Sequence, residues 1–336
     1  MRTAGRDLVV VAASAGGVDP LRNLLAGLPG DLPAAVLVVL HVPPHSKSVL
    51  AGILDRAGPL PAAPALDGEQ IRPGRVYVAR PDHHLLVQDG RIRLSRGPQH
   101  NGHRPAADAL FLSAALDAGP HVAAVVLSGA LDDGARGSEA VHRQGGAVAV
   151  QSLEECVFPG MPSAALAAVP EAEELTVQKL AAWVEHQSRT PVEVEERMPD
   201  NDMEREIDLL LREGPALGDP DGELIAFSCP TCDGPMYEQR SGRSSRYVCR
   251  VGHAWSREAM LNAQSDAVER ALWVAVQRLE ERIRVLERMR SSAEDRRQTI
   301  SAQYLREEEE RTREALETLR TLQSRIGRGD EPSLAD

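Results

Sequence analysis

At 336 residues the chain has room for about two ordinary domains, and its 42% hydrophobic share can supply a core. Aromatic residues make up only 3%, so that core must be built from Ala, Val and Leu. A formal net charge of −12 argues against general nucleic-acid or anionic-membrane binding, and neither a membrane-length apolar run nor a signal-type amino terminus is present, so a soluble, cytoplasmic protein without membrane insertion is expected.

Residues 8–17 read LVVVAASAGG, a short β-branched run that stops at Ala12 and Ala13, then a serine and two glycines. Leu21, Leu24, Leu25 and Leu28 follow at helical spacing, with Asp19 and Pro20 as start signals. This is strand, tight turn and helix, with the Ser14 hydroxyl at the carboxyl end of the strand, where open parallel sheets place their chemistry. Two other readings stay open at this point: a turn holding a phosphate on its amides, and a serine capping the helix. Neither a dinucleotide-binding glycine pattern nor a Walker lysine accompanies the turn.

A second apolar run, 34–40, ends in His41, Val42, Pro43 and Pro44. Apolar on both faces, it predicts a buried parallel strand that leaves His41 where Ser14 lies on the first, with His45 further out. Residues 66–97 read as a β-excursion: short strands at 77–79 and 85–87, an Asp89-Gly90 hairpin signal, then alternation over 91–94. His103 and Arg104 precede a helix over 106–118, either as substrate contacts or as a solvated loop, with Asp108 in its first turn. A third buried strand at 122–127 runs into Gly129, Asp132, Asp133 and Gly134; a helix at 135–144 and a strand at 147–150 follow. The predicted fold is α/β, a doubly wound, mostly parallel, three-layer sheet with a β-hairpin excursion. Parallel strands share a direction, so a serine, a histidine and an aspartate emerge on one rim, the condition for a nucleophile, base and orienting acid. The usual Gly-x-Ser-x-Gly elbow is missing, which disfavours an ordinary α/β-hydrolase.

Together these segments resemble the catalytic domain of CheB-type protein-glutamate methylesterases over about residues 7–184. The resemblance rests on residues 13–17, 41–43, 103–105 with Asp108, 129–134 and 160–162. It implies hydrolysis of γ-glutamyl methyl esters on the cytoplasmic helices of chemoreceptors or a related signalling protein, and deamidation of particular glutamines, with no cofactor for catalysis. Ser14 matches the nucleophile, His41 the general base, and Asp133 rather than Asp132 the orienting carboxylate. The Ala15 and Ala130 amides match the oxyanion hole. The sequence departs from the family's pattern at Ala12, Ala15, Ala130 and Leu131, where the family has Gly, Thr, Met and Gly. With the first strand at Leu8, no amino-terminal receiver domain is expected. Those departures also admit a reading as a catalytically idle signalling adaptor.

Residues 185–222 turn polar and acidic, with Glu193, Glu195, Glu196, Asp200, Asp202, Glu204 and Glu206, and prolines at 191, 199, 215 and 220. They read as a solvated linker interrupted by a short helix around 203–212. Over 223–256, Cys229 and Cys232 form a C-x-x-C pair and Cys249 and His253 a C-x-x-x-H pair, a closed set of three thiolates and one imidazole suited to structural zinc. Arg240, Arg243, Arg246 and Arg250 make this knuckle basic, which leaves acidic-partner or nucleic-acid binding open as the minor reading, nucleic acid not being the expected partner. Residues 257–328 carry a heptad-like seam at Leu272, Val276, Leu279, Ile283 and Leu286, a break at Ser291 and Ser292, and a second at Leu316, Leu319, Leu322 and Ile326. An antiparallel helical hairpin and self-association as a coiled coil both fit.

Overall fold

The computed structural model describes residues 5–46, 49–192, 200–212, 219–241 and 244–326. Glu193, Glu195, Glu196, Pro199, Pro215, Arg243 and the Ile326 side chain therefore lie outside the described residues. The chain divides into two compact units, Met1–Met260 and Leu261–Asp336.

In the first unit, β1 (Leu8–Ala13), α1 (Val18–Ala26), β2 (Ala35–Leu40), α2 (Leu50–Asp55), β3 (Ala62–Pro64) and β4 (Val76–Val78) come first. A hairpin of β5 (His84–Gln88) and β6 (Arg91–Ser95) follows, then α3 (Ala107–Ala118), β7 (Val122–Val126), α4 (Ala135–Arg143), β8 (Ala147–Gln151), α5 (Gly160–Ala168), β9 (Glu173–Leu175) and α6 (Val177–Arg189). Seven strands form one parallel sheet in the order β3-β4-β2-β1-β7-β8-β9. Its central strands are unbroken apolar runs because helices cover both faces. Leu8, Val10 and Ala12 of β1 pack in the core with residues of α3, α4 and α5; Val9, Val11 and Ala13 pack in the core with residues of α1 and α6. The chain leaves β1 toward β2 on one side and returns to β7 on the other, so the switch in direction falls at β1, where clefts open in such sheets.

Three features differ from expectation. The strand containing Tyr77 belongs to the main sheet, pairing with β2 and β3, so only β5 and β6 form the excursion. A run of three residues shows no pleat preference of its own, and its neighbours decide which sheet it joins. The helix α7 (Asn201–Leu211) does not lie in a solvated spacer: Met203 and Ile207 join the main core, and Leu210 packs with Leu86, Ala106 and Ala109. Its Glu206, expected among solvated acids, is 3% exposed.

The cysteine-bearing segment is a four-stranded antiparallel sheet of β10 (Glu223–Ser228), β11 (Pro235–Ser241), β12 (Ser244–Cys249) and β13 (Ala254–Trp255). Beyond it, α8 (Arg257–Asp295) continues through Ser291 and Ser292, and the turn falls at 296–298, with Arg297 at φ +59. It pairs antiparallel with α9 (Thr299–Ile326), burying Val276, Ile283 and Leu316. Arg320–Glu280, Arg313–Glu287 and Arg282–Glu308 pairs flank that seam. Among the described residues no helix is long and apolar enough to cross a membrane.

Candidate active site

Ser14 follows β1 directly, its N–H donating to the Ser128 carbonyl (2.9 Å) and its carbonyl accepting from Gly17 (3.0 Å). It does not cap α1, which starts after Gly17 without a side-chain cap. The turn needs its glycines for space. A Cβ on Gly16, at φ +71, would sit 2.9 Å from Ser128 Oγ, and one on Gly129 would meet Met161 Sδ at 2.1 Å and Ser14 Cβ at 3.0 Å. Leu131 stands in left-handed backbone at φ +61, which costs a residue with a Cβ about 1–2 kcal/mol.

His41 follows β2 in the neighbouring register position, its N–H bonded to the Ala13 carbonyl. Its Nδ1 lies 3.1 Å from Ser14 Oγ, and its Nε2 lies 2.7 Å from Asp133 Oδ2. An ionised carboxylate only accepts, so the ring proton belongs on Nε2 and Nδ1 presents a lone pair to the serine. His45, the nearby competitor, has no hydrogen bond to Ser14 among the described residues and is exposed. Asp133 is buried at the amino end of α3, accepting from the Ala107 (2.7 Å) and Asp108 (3.2 Å) amides. Burial alone would raise this carboxyl; the hydrogen bond and charge of His41, with the Ala107 amide, instead hold it well below the usual carboxylate range. Asp108 answers in kind, accepting from the Gly134 and Gly137 amides at the start of α4 (3.0 and 2.7 Å). Burial and the Asp133 charge push the Asp108 carboxyl up.

The neighbouring Asp132 stays out of this chain of contacts. Its Oδ1 accepts the Ser256 hydroxyl proton at 2.8 Å, and burial pushes the carboxyl up to about 6 against that bond. His103 stacks on His41, ring centroids 3.9 Å apart and planes within 9°, and burial, then the His41 charge, pushes it down to about 4. A neutral ring there adds no cation beside His41. Arg104, a candidate for substrate contact, is engaged by the protein: its Nε reaches Asp82 Oδ1 at 3.0 Å, and Nη1 donates to the carbonyls of Arg96 (2.9 Å) and Gly97 (2.7 Å). The Ala15 and Ala130 amides have no hydrogen-bond partner among the described residues, and both adjoin Ser14 or the turn after β7.

Sequence reasoning missed the residues behind this rim. Buried Glu206 is chelated by Arg136 (3.1 and 2.6 Å), pairs with Arg246, and lies 3.7 Å from His100. Asn101 takes the Ser256 amide on Oδ1 at 2.8 Å, and its Nδ2 lies 3.5 Å from Asp133 Oδ1. The helical spacing of Met203, Ile207 and Leu210 was the one signal that α7 had a face to bury.

Cys229, Cys232, Cys249 and His253 place one ligand atom each within 4.8 Å of all the others. Neighbouring donors lie 3.5–3.7 Å apart: Cys232 Sγ to Cys249 Sγ at 3.6 Å, and His253 Nδ1 to Cys249 and Cys229 at 3.5 and 3.7 Å. A tetrahedron with metal–sulfur bonds of about 2.3 Å has edges of roughly 3.7 Å, so the donor set fits zinc.

Residues 9–184, more than half the chain, match the CheB methylesterase family. A protein-glutamate methylesterase/protein-glutamine glutaminase of Myxococcus xanthus is 41% identical over 167 residues, 48% of this chain and 48% of that protein. A protein of the same description from Pseudomonas aeruginosa is 38% identical over 179 residues, 52% of this chain and 51% of its own length. The chain thus spans about half the length of these curated relatives. The crystal structure of the Thermotoga maritima CheB methylesterase catalytic domain is similar with a TM-score of 0.51 and 34% identity, covering 54% of this chain and 97% of that one.

Proposed function

The chain belongs to the CheB methylesterase family, and on that premise we propose that it is a serine hydrolase removing methyl groups from glutamate methyl esters of chemoreceptors in the cytoplasm, and deamidating receptor glutamines. The observation that carries this reading is the unbroken path from Ser14 Oγ through the His41 ring to Asp133. Nδ1 of His41 takes the Ser14 proton as Oγ bonds to the ester carbonyl carbon, while Asp133 keeps the Nε2 proton and stabilises the imidazolium. The oxyanion is received by the Ala15 and Ala130 amides, each such donor worth about 3 kcal/mol in the transition state. Collapse breaks the carbon–oxygen bond, and the departing oxygen takes the proton from Nδ1 and leaves as methanol. Water then repeats the sequence on the glutamyl–Ser14 ester and frees glutamate.

In this reading His103 packs the base from the side and Arg104 braces the loop that carries it. Cys229, Cys232, Cys249 and His253 hold a structural zinc, which supplies folding energy and no open position for substrate. The relatives' descriptions and the intact Ser14, His41 and Asp133 favour the enzyme over an idle adaptor. Mass spectrometry of methylated receptor incubated with the full chain tests the assignment. Methylated peptides should become lighter by one methylene, and Ser14→Ala should leave them unchanged; receptor peptides unaltered by the native chain would refute the reading.

A further inference from the structure

We propose that the metal-loaded knuckle is a positioning device for the active site, acting through Ala254, Ser256 and Asn101 on the loop that carries His103 and on the Asp132–Asp133 turn. The inference rests on the hydrolase reading but adds a dependence on a metal that never meets the substrate.

The connection is short. His253, a metal-ligand candidate, directly precedes β13. Asn101 N–H donates to the Ala254 carbonyl at 2.8 Å, and Ala254 N–H donates to the Gln99 carbonyl at 3.2 Å, so β13 adds a parallel bridge to residues 99–101. One residue on, Trp255 is buried against Gly102, where a Cβ would lie 3.1 Å from Cη2 of the indole. Ser256 then makes two contacts toward the rim: its N–H donates to Asn101 Oδ1 and its hydroxyl to Asp132 Oδ1, both at 2.8 Å. Asn101 stands between Ser256 and Asp133, and His103, two residues later, stacks on the base.

The loop is a tight turn that closes on itself: Asn101 and Gly102 are consecutive left-handed residues, φ +51 and +75, which this pair of residue types adopts readily, and the His100 and His103 backbones bond each other across it at 3.3 and 2.8 Å. What β13 and Ser256 fix is where that turn sits against the rim. The knuckle also grips from below. Arg246, on the strand ending in the Cys249 ligand, reaches buried Glu206 of α7, which holds Arg136 of α4. In return the knuckle depends on its metal. Among the described residues its buried apolar side chains are few (Met236, Tyr237, Val248, Ala254 and Trp255), so metal binding to such a set supplies most of its folding energy. Loss of the metal releases the ends of 249–253 and with them the partners of residues 99–102.

Hydrogen exchange on the full chain, zinc-loaded and after chelation, tests this directly. Chelation should speed exchange of the 99–104 amides about tenfold or more while β1, β2 and β7 stay protected. Unchanged exchange at 99–104, or parallel loss of protection in the sheet, would overturn the proposal. Kinetics of zinc-loaded variants add a second arm. Ser256→Ala should lower kcat about fivefold with KM within about twofold, and Ser256→Thr should restore it. Asn101→Asp keeps the acceptor for Ser256 but adds a further carboxylate to Asp108 and Asp132 beside Asp133, so the acidic limb of the kcat/KM profile should move to higher pH. Native rates in Ser256→Ala and an unmoved profile in Asn101→Asp would overturn it as well. If native chain and Ser14→Ala show equal, negligible hydrolysis, the hydrolase reading fails, while the exchange experiment still decides the coupling.

Discussion

His41 turns Nδ1, not Nε2, toward Ser14: the hydroxyl lies 3.1 Å from Nδ1 because Asp133 holds Nε2 at 2.7 Å. In the serine-protease arrangement the two nitrogens have the opposite assignments, Nε2 facing the serine. The chemistry is conserved under this exchange, since an acceptor-only carboxylate fixes whichever tautomer leaves the other nitrogen free.

Asp133→Asn therefore reverses the ring. The amide group donates to Nε2, the proton moves to Nδ1, and Ser14 loses its acceptor. Hydrolysis should fall about ten-thousandfold. Stability should fall by only about 1–3 kcal/mol, because one acceptor for the α3 amides is lost. Nitrogen NMR of the native protein should show the proton on Nε2 of His41; a proton on Nδ1 would contradict the assignment.

His103 packs against His41 as a neutral ring. His103→Phe preserves a stacked ring and should keep hydrolysis within about threefold, whereas His103→Ala removes it and should cost about tenfold, the scale of one aromatic pair. Steady-state rates on one receptor preparation compare the two, and equal losses would show that titration rather than stacking matters.

Acid should destabilise the first unit below pH 6.5. Burial pushes His84 down to about 3 and His100 and His103 down to about 4, so the unfolded chain binds three protons that the native chain refuses. Their stabilisation is complete above the ordinary histidine range and is lost as pH falls toward the depressed values. Burial also raises Asp108 and pushes Asp132 up to about 6, and both offset part of this difference. Three histidines outnumber the two carboxyls, so stability still falls on acidification, each net proton contributing a slope of about 1.4 kcal/mol per pH unit. Urea midpoints at pH 6.5, 5.5 and 4.5 should fall in that order; a rise on acidification would contradict the burial of these histidines.

Glu206→Ala leaves Arg136 and Arg246 without their shared carboxylate and should destabilise by about 3–5 kcal/mol, read by thermal unfolding. Glu206 belongs to a group held ionised: burial would raise it, but Arg136 and Arg246 bring it down to about 2. A change smaller than about 1 kcal/mol would mean that α7 and the knuckle are not anchored there.

Metal analysis of the purified chain should find about one zinc per molecule, and Cys229→Ser should lower it sharply. Unchanged zinc in that variant would exclude Cys229 from the ligand set.

The parallel sheet was legible because buried strands write themselves as unbroken apolar runs, and strand ends then place Ser14, His41 and Asp133 on one rim. The clustering of Cys229, Cys232, Cys249 and His253 was legible from spacing alone. What lies behind the rim was not. Asn101, Ser256 and Glu206 are small polar or acidic residues whose roles exist only once the knuckle meets the 99–104 loop, a contact about 150 residues apart in sequence. Glu206 looks like any solvated acid until Arg136 and Arg246 converge on it.

In the proposed reaction an imidazole-activated Ser14 hydrolyses glutamyl methyl esters. Methanol released from radiomethylated receptor membranes by the zinc-loaded full chain measures it most directly. Steady release is expected from the native chain and none from Ser14→Ala or His41→Ala; release that continues unchanged in Ser14→Ala would exclude Ser14 as the nucleophile.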